Sequence, residues 1–91
     1  LMEFIEMVTG EGQPDLHLEE INCANYPQLI GKTLIELQIR ARTGVWVIGS
    51  KRGKQHVQLN PPATYTIGPD DRLFIFGTDE QLQKFKDIYL S

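Results

Sequence analysis

The sequence predicts a small α+β domain: a mostly antiparallel four-stranded sheet in the order β-α-β-β-β-α, preceded by a short N-terminal linker helix. Three observations carry that prediction. Strand-like runs recur at Leu16–Cys23, Val45–Ile48, His56–Leu59 and Leu73–Phe76. Two capping-box patterns, Thr33-Leu34-Ile35-Glu36 and Thr78-Asp79-Glu80-Gln81, mark helix starts after the first strand and after the last. Glycine and proline punctuate the junctions between these runs.

Taken in order, Leu1, Phe4, Ile5 and Val8 lay one apolar stripe along a helix. Thr9-Gly10-Glu11-Gly12-Gln13-Pro14 ends it. Residues 1–14 therefore read as a linker helix and turn from an upstream region, and residues 15–91 as the domain proper. A lone amphipathic helix of this kind docks on something. In Leu16–Cys23, Leu16 and Leu18 share one face and Ile21 and Cys23 the other. The alternation slips at Glu19-Glu20, where a bulge is expected. Asn25-Tyr26-Pro27 is a turn.

The Thr33 cap starts a helix with Leu34 and Leu37 facing inward and Ile39 continuing the set. Gly44 stops it. Val45–Ile48 is the next strand. Lys51-Arg52-Gly53-Lys54 forms a hairpin turn, His56–Leu59 the return strand, and Pro61-Pro62 ends the ladder. Gly68-Pro69-Asp70-Asp71 turns the chain into Leu73–Phe76, apolar on both faces and hence the best candidate for a central strand. The last helix carries an inward stripe of Leu82, Phe85 and Tyr89, with Ile88 beside them.

Ninety-one residues make one small domain. A chain this short buries only ~60–65% of its unfolded surface, so dimerisation is a natural way to hide more. The single cysteine, Cys23, cannot form an internal disulfide and fits a reducing compartment. The longest apolar runs, Val45–Ile48 and Leu73–Phe76, are far too short to cross a bilayer. No signal-peptide pattern is visible, and a start at Leu1 is what an excised piece of a longer protein would show.

Charge is segregated. Residues 1–31 carry six acids and no Lys or Arg. Residues 32–54 carry Lys32, Arg40, Arg42, Lys51, Arg52 and Lys54 against Glu36 alone. That segment is either a solvated face or an anion site. Arg40 and Arg42 can fork onto phosphate oxygens, or close salt bridges to the acidic N-terminal third. Trp46 reads as core, dimer interface or ligand platform. Lys51, Arg52 and Lys54 are expected to stay solvated on the hairpin tip.

Catalysis finds no support: no nucleophile stands with a base, and no Ser/His/Asp set or metal-ligand cluster is visible. His17 and His56 lack a Cys or His partner at ligand spacing, so no metal site is expected there. Asp70-Asp71 and Asp79-Glu80 are explained by turn formation and N-capping. Cys23 is read as a small core residue. A nucleic-acid or anion-binding module built on residues 32–54 is the competing reading, but the net charge of −3 and the lack of interleaved aromatics argue against it.

Three stretches resemble the C-terminal domain of the RCK (regulator of potassium conductance, TrkA-C-like) family. They are Leu18-Glu19-Glu20-Ile21; Gly31-Lys32-Thr33-Leu34 with Leu37, Ile39, Gly44, Val45–Ile48 and Arg52-Gly53; and Ile67-Gly68-Pro69-Asp70-Asp71-Arg72-Leu73, followed by Phe76-Gly77. The resemblance implies a cytosolic, homodimerising sensor attached to a potassium (or other cation) channel or transporter. An upstream nucleotide-binding half would precede it, reached through residues 1–8. The regulatory ligand would be cyclic di-AMP or a divalent cation, with no tightly held cofactor and no nucleic-acid partner. For the cyclic di-AMP members the pattern places Arg40 on the family's arginine and Val47-Ile48 on its apolar pair. Gln38 stands where an Asp is expected and Trp46 where an Asn is expected. The implied ligand residues are therefore Gln38, Ile39, Arg40, Trp46 and Val47, with Pro61 or Pro62 walling the cleft.

Overall fold

The computed structural model describes residues 15–91; the linker helix and turn expected over residues 1–14 lie outside the described residues. The chain runs β1 (Leu16–Asn22), α1 (Leu34–Leu37), α2 (Ile39–Thr43), β2 (Trp46–Arg52), β3 (Gln58–Leu59), β4 (Asp71–Thr78) and α3 (Asp79–Tyr89). Two 3-10 turns, Cys23–Asn25 and Pro27–Leu29, follow β1. The strands form one antiparallel sheet in the order β1-β4-β2-β3. This is the α+β architecture the sequence predicts.

β4 holds the sheet together because both its edges are paired. Its residues alternate: Asp71, Leu73, Ile75 and Gly77 are buried on one face, whereas Arg72, Phe74 and Phe76 point to the opposite face. Leu73, Ile75, Phe85, Val45 and Cys23 are wholly removed from solvent, and Ile21, Leu29, Ile39, Ile67, Leu82 and Tyr89 complete the core. The Phe85 and Tyr89 rings pack at 5.2 Å between centroids. Among the described residues, helices cover only one face. On the other, Leu18, Trp46 and Leu59 are 60%, 54% and 76% exposed.

Both capping boxes form. The Thr33 hydroxyl accepts from the Glu36 N–H, and the Thr78 hydroxyl from the Gln81 N–H, each at 3.2 Å. The expected single helix after Thr33 is two short ones. Gln38 takes the left-handed conformation at φ 49°, ends α1 and lets α2 restart in a new direction.

Two further expectations are corrected. β1 carries no bulge, since its register against β4 is continuous from Leu16↔Thr78 to Asn22↔Arg72. The alternation breaks because Glu19 lies on the helix-covered face, where its carboxylate meets Lys86 Nζ at 3.1 Å. The bulge is in β2, between Val47 and Gly49. A Cβ on Gly49 would come within 3.3 Å of Val57 Cγ1, so the bare residue leaves room for that side chain. The return strand spans only Gln58–Leu59 rather than His56–Leu59.

Candidate functional site

The broken helix makes a hollow. Leu34 N–H and Ile35 N–H donate to the Tyr65 and Ala63 carbonyls at 3.2 and 2.9 Å, tying α1 to the segment after the prolines. Asn60, also left-handed at φ 50°, donates its N–H to the Ile48 carbonyl at 2.8 Å and turns Pro61 inward. Between α1, α2, the start of β2 and Pro61 lies an open cavity of about 490 Å³.

Gln38, Ile39, Arg40, Trp46, Val47 and Pro61 all line it, together with Leu34, Ile35 and Asn60. Six of the seven residues expected from sequence therefore meet at one place. Pro62 does not line it; that residue is exposed, and Pro61 alone forms the wall.

Arg40 places its guanidinium 4.3 Å from the Trp46 ring centroid. The cation lies over the indole ring, an attraction of ~0.5–1 kcal/mol at an exposed site. A guanidinium held by such a contact still carries N–H donors that can meet an acceptor. Among the described residues no Asp or Glu lines the hollow. Its one charged lining residue there, Arg40, suits an anion with flat or apolar parts better than a metal cation. Among the described residues, neither Arg40 nor Arg42 closes an ion pair; Arg42 instead lies 5.5 Å from the Tyr89 ring centroid.

Arg52 differs from expectation. It is not a solvated hairpin residue: its Nε and Nη2 donate to both oxygens of Asp71, which is fully buried. Its Nη2 also donates to the Thr66 carbonyl at 2.8 Å. Asp71 accepts further from the Gly68 N–H at 2.6 Å. Burial alone would raise the Asp71 pKa, but the Arg52 and Gly68 hydrogen bonds outweigh it and hold the carboxyl below the usual range. The same pairing raises the Arg52 pKa further. Spacing could not reveal this pair, because its members are nineteen residues apart in the chain.

Cys23 is buried, and burial pushes its thiol up to about 11, so it is an unreactive core group. Asp15, His17 and Asp79 bring ligand atoms within 4.8 Å of one another. All three are exposed, and His17 Nε2 meets Asp79 Oδ1 at 3.0 Å. Asp79 sits in the first turn of α3, where the helix dipole favours an anion over a cation. The His17–Asp79 contact accounts for two of its three members. Among the described residues, no helix is long and apolar enough to cross a membrane.

The TrkA-C domain family matches residues 18–89, and the chain belongs to it. Over 88 residues the chain is 28% identical to probable potassium channel protein 2 of Methanocaldococcus jannaschii, covering 97% of this chain and 25% of that protein. The chain thus spans about a quarter of that relative's length. Among solved structures, the RCK C domain of the potassium transport protein KtrA, in complex with cyclic diadenosine monophosphate (c-di-AMP), superposes with a TM-score of 0.76. That match has 24% identity and covers 94% of this chain and 92% of the other. The RCK_C domain dimer of S. agalactiae BusR, also with c-di-AMP, gives a TM-score of 0.67 at 20% identity, covering 82% and 91%. BusR has also been solved with promoter DNA. At these identities the structures show the fold alone.

Proposed function

We propose that this domain is a cytosolic ligand sensor that dimerises and regulates a potassium (or other cation) channel or transporter. The observation that carries the reading is the Arg40–Trp46 stack in the wall of the 490 Å³ hollow. A cyclic dinucleotide such as c-di-AMP is the ligand class that fits. Arg40 would fork onto a phosphate, the indole of Trp46 would stack on a base, and Ile35, Val47 and Pro61 would enclose the apolar edges. The family membership and the c-di-AMP complexes of KtrA and BusR support this reading.

The hollow is open on one side. A two-fold symmetric ligand is best enclosed by two copies of the same hollow facing each other across a dyad. Binding then works by population shift. A ligand that contacts both copies favours one dimer geometry over another, and only that difference in affinity transmits force to whatever the domain is attached to. Membership of a family of regulatory domains supports a binding rather than a catalytic role for the module.

The DNA complex of BusR raises the nucleic-acid reading again. The basic residues of this chain do not favour it. Arg52 is committed to Asp71 and Arg42 lies against the Tyr89 ring, which interrupts the basic residues of 32–54 as a stripe for a phosphate backbone.

Titration of Trp46 fluorescence with c-di-AMP tests the site. Saturable quenching that Arg40→Ala weakens at least tenfold supports it. Unchanged emission up to millimolar ligand, in a protein whose circular dichroism is native, removes it.

A further inference from the structure

The break between α1 and α2 has no local cause. Leu34 to Thr43 contains no glycine or proline, and its leucines, Glu36, Gln38, Ala41 and arginines all favour a helix. Yet Gln38 stands at φ 49° and ψ 44°, where a non-glycine residue persists only when its surroundings hold it. The contacts that surround this break come from the far end of the chain.

In a continuous helix the Leu37 carbonyl would accept from the Ala41 N–H. Here α1 closes with the Gln38 N–H on the Leu34 carbonyl at 3.1 Å, and α2 opens with the Arg42 N–H on the Gln38 carbonyl at 3.0 Å. Among the described residues no backbone N–H crosses the break to Leu37. The Tyr89 hydroxyl, from the last turn of α3, donates to that carbonyl instead. The same ring lies 5.5 Å from the Arg42 guanidinium. One side chain of α3 therefore touches both halves of the broken helix. Tyr89 is itself fixed: it is buried, its ring packs 5.2 Å from that of Phe85, and its carbonyl accepts from Gln28 Nε2 at 3.1 Å.

We propose that Tyr89 is a positioning residue for the hollow: its hydroxyl satisfies the carbonyl that the break orphans, and so holds Gln38 and Arg40 in place beside Trp46 and Pro61. Without that donor, the remedy nearest to hand for the Leu37 carbonyl is the Ala41 N–H. Reaching it requires Gln38 to turn right-handed, and α1 and α2 then merge into the single helix that the local sequence favours. Merging reorients Arg40 relative to the Trp46 ring. The effect on ligand affinity rests on the cyclic-dinucleotide reading above; the hold on the break does not.

Tyr89 does not itself line the hollow, so it acts through the backbone of Leu37 and Gln38. α3 starts at the Thr78 cap on the end of β4 and finishes at Tyr89. A displacement of its last turn therefore reaches the hollow. The coupling is reciprocal: a ligand that favours the broken helix also favours the seated hydroxyl.

Tyr89→Phe removes the hydroxyl and keeps the ring, and two measurements on the 91-residue chain read the result. Backbone NMR without ligand reports the Gln38 φ. The wild type is expected to be left-handed, and Tyr89→Phe to move toward the right-handed value while the Ala41 N–H gains protection from exchange. Calorimetric titration with c-di-AMP is expected to show at least tenfold weaker binding in Tyr89→Phe. Arg52→Ala, which destabilises the fold elsewhere, is expected to change neither readout. A Gln38 that stays left-handed in Tyr89→Phe overturns the proposal, and so does a shifted Gln38 with undiminished affinity. A wild type that takes up no c-di-AMP counts against the ligand reading alone, and the Gln38 measurement then decides on Tyr89. Should Tyr89→Phe fail to fold, the wild-type hydroxyl proton decides. Protection from exchange with a nuclear Overhauser contact to Leu37 supports the proposal, and free exchange overturns it.

Discussion

Arg52 and Asp71 face each other across the β2–β4 ladder, with Nε–Oδ1 at 3.0 Å and Nη2–Oδ2 at 2.8 Å. The carboxylate is wholly buried and the guanidinium half exposed. A buried anion is tolerated only when its lone pairs are filled, and here Gly68 N–H adds a third hydrogen bond. The pair therefore fixes the Gly68–Asp71 turn to the end of β2. It is a device of the fold, separate from the hollow beside Arg40 and Trp46.

Arg52→Ala leaves that carboxylate without its main partner. The expected cost is about 2–3 kcal/mol, toward the low side for a broken buried pair because water already reaches the guanidinium. Urea denaturation at pH 7 measures it, and a midpoint unchanged from wild type would contradict the assignment.

The same pair makes stability depend on acid. The Asp71 carboxyl titrates below its unfolded value near 3.9. A depressed folded pKa contributes stability that is present in full above the unfolded pKa and lost as pH falls through the folded one. Asp71→Asn is therefore expected to be less stable than wild type at pH 7, with the difference shrinking as pH falls below about 4. Thermal melts across pH 2–7 give both curves, and parallel curves would disprove the linkage.

Gly44 sits at φ 83° where α2 ends, and a Cβ there would lie 2.6 Å from Gln81 Nε2 and 3.0 Å from Gln81 Cδ. Gln81 is not free to yield, because its Oε1 closes the capping box on the Thr78 N–H at 3.0 Å. Gly44→Ala should cost about 1–3 kcal/mol through backbone strain and the displaced cap. Thr78→Ala, which removes the cap alone, should cost about 1 kcal/mol. The two measured together separate strain from capping.

The two faces of the sheet should respond differently to substitution. Ile75→Ala empties a fully buried position and should cost about 2–5 kcal/mol. Leu59→Lys, at a position 76% exposed, should stay within about 0.5 kcal/mol. A large loss for Leu59→Lys would show that its face is more tightly covered than its exposure implies.

Local signals carried most of the fold into the sequence. Thr33 and Thr78 announced both helices because a capping box is written within four residues. The stripe Leu82, Phe85 and Tyr89 is indeed the buried side of α3. Non-local facts were hidden. The partner of Arg52 lies on another strand, and the Glu19–Lys86 pair mimicked a bulge by placing a polar residue on the covered face. Gln38 in a left-handed conformation has no sequence signature comparable to glycine, so the helix break was invisible. That break brings Gln38 and Arg40 together with Trp46 and Pro61. The resemblance to known domains supplied those residues, and residue spacing alone did not. The open face was also hidden, because Leu18 and Leu59 look like core residues until the layer over them is counted.

We propose that a cyclic dinucleotide bridges two copies of this domain through the Arg40–Trp46 wall. Calorimetric titration with c-di-AMP, with light-scattering mass recorded on the same sample, tests it most directly. The account predicts saturation at one ligand per two chains, a dimeric mass at saturation, and loss of the heat in Arg40→Ala. A dimer that takes up no ligand, or a chain that stays monomeric at high concentration with ligand present, would contradict it.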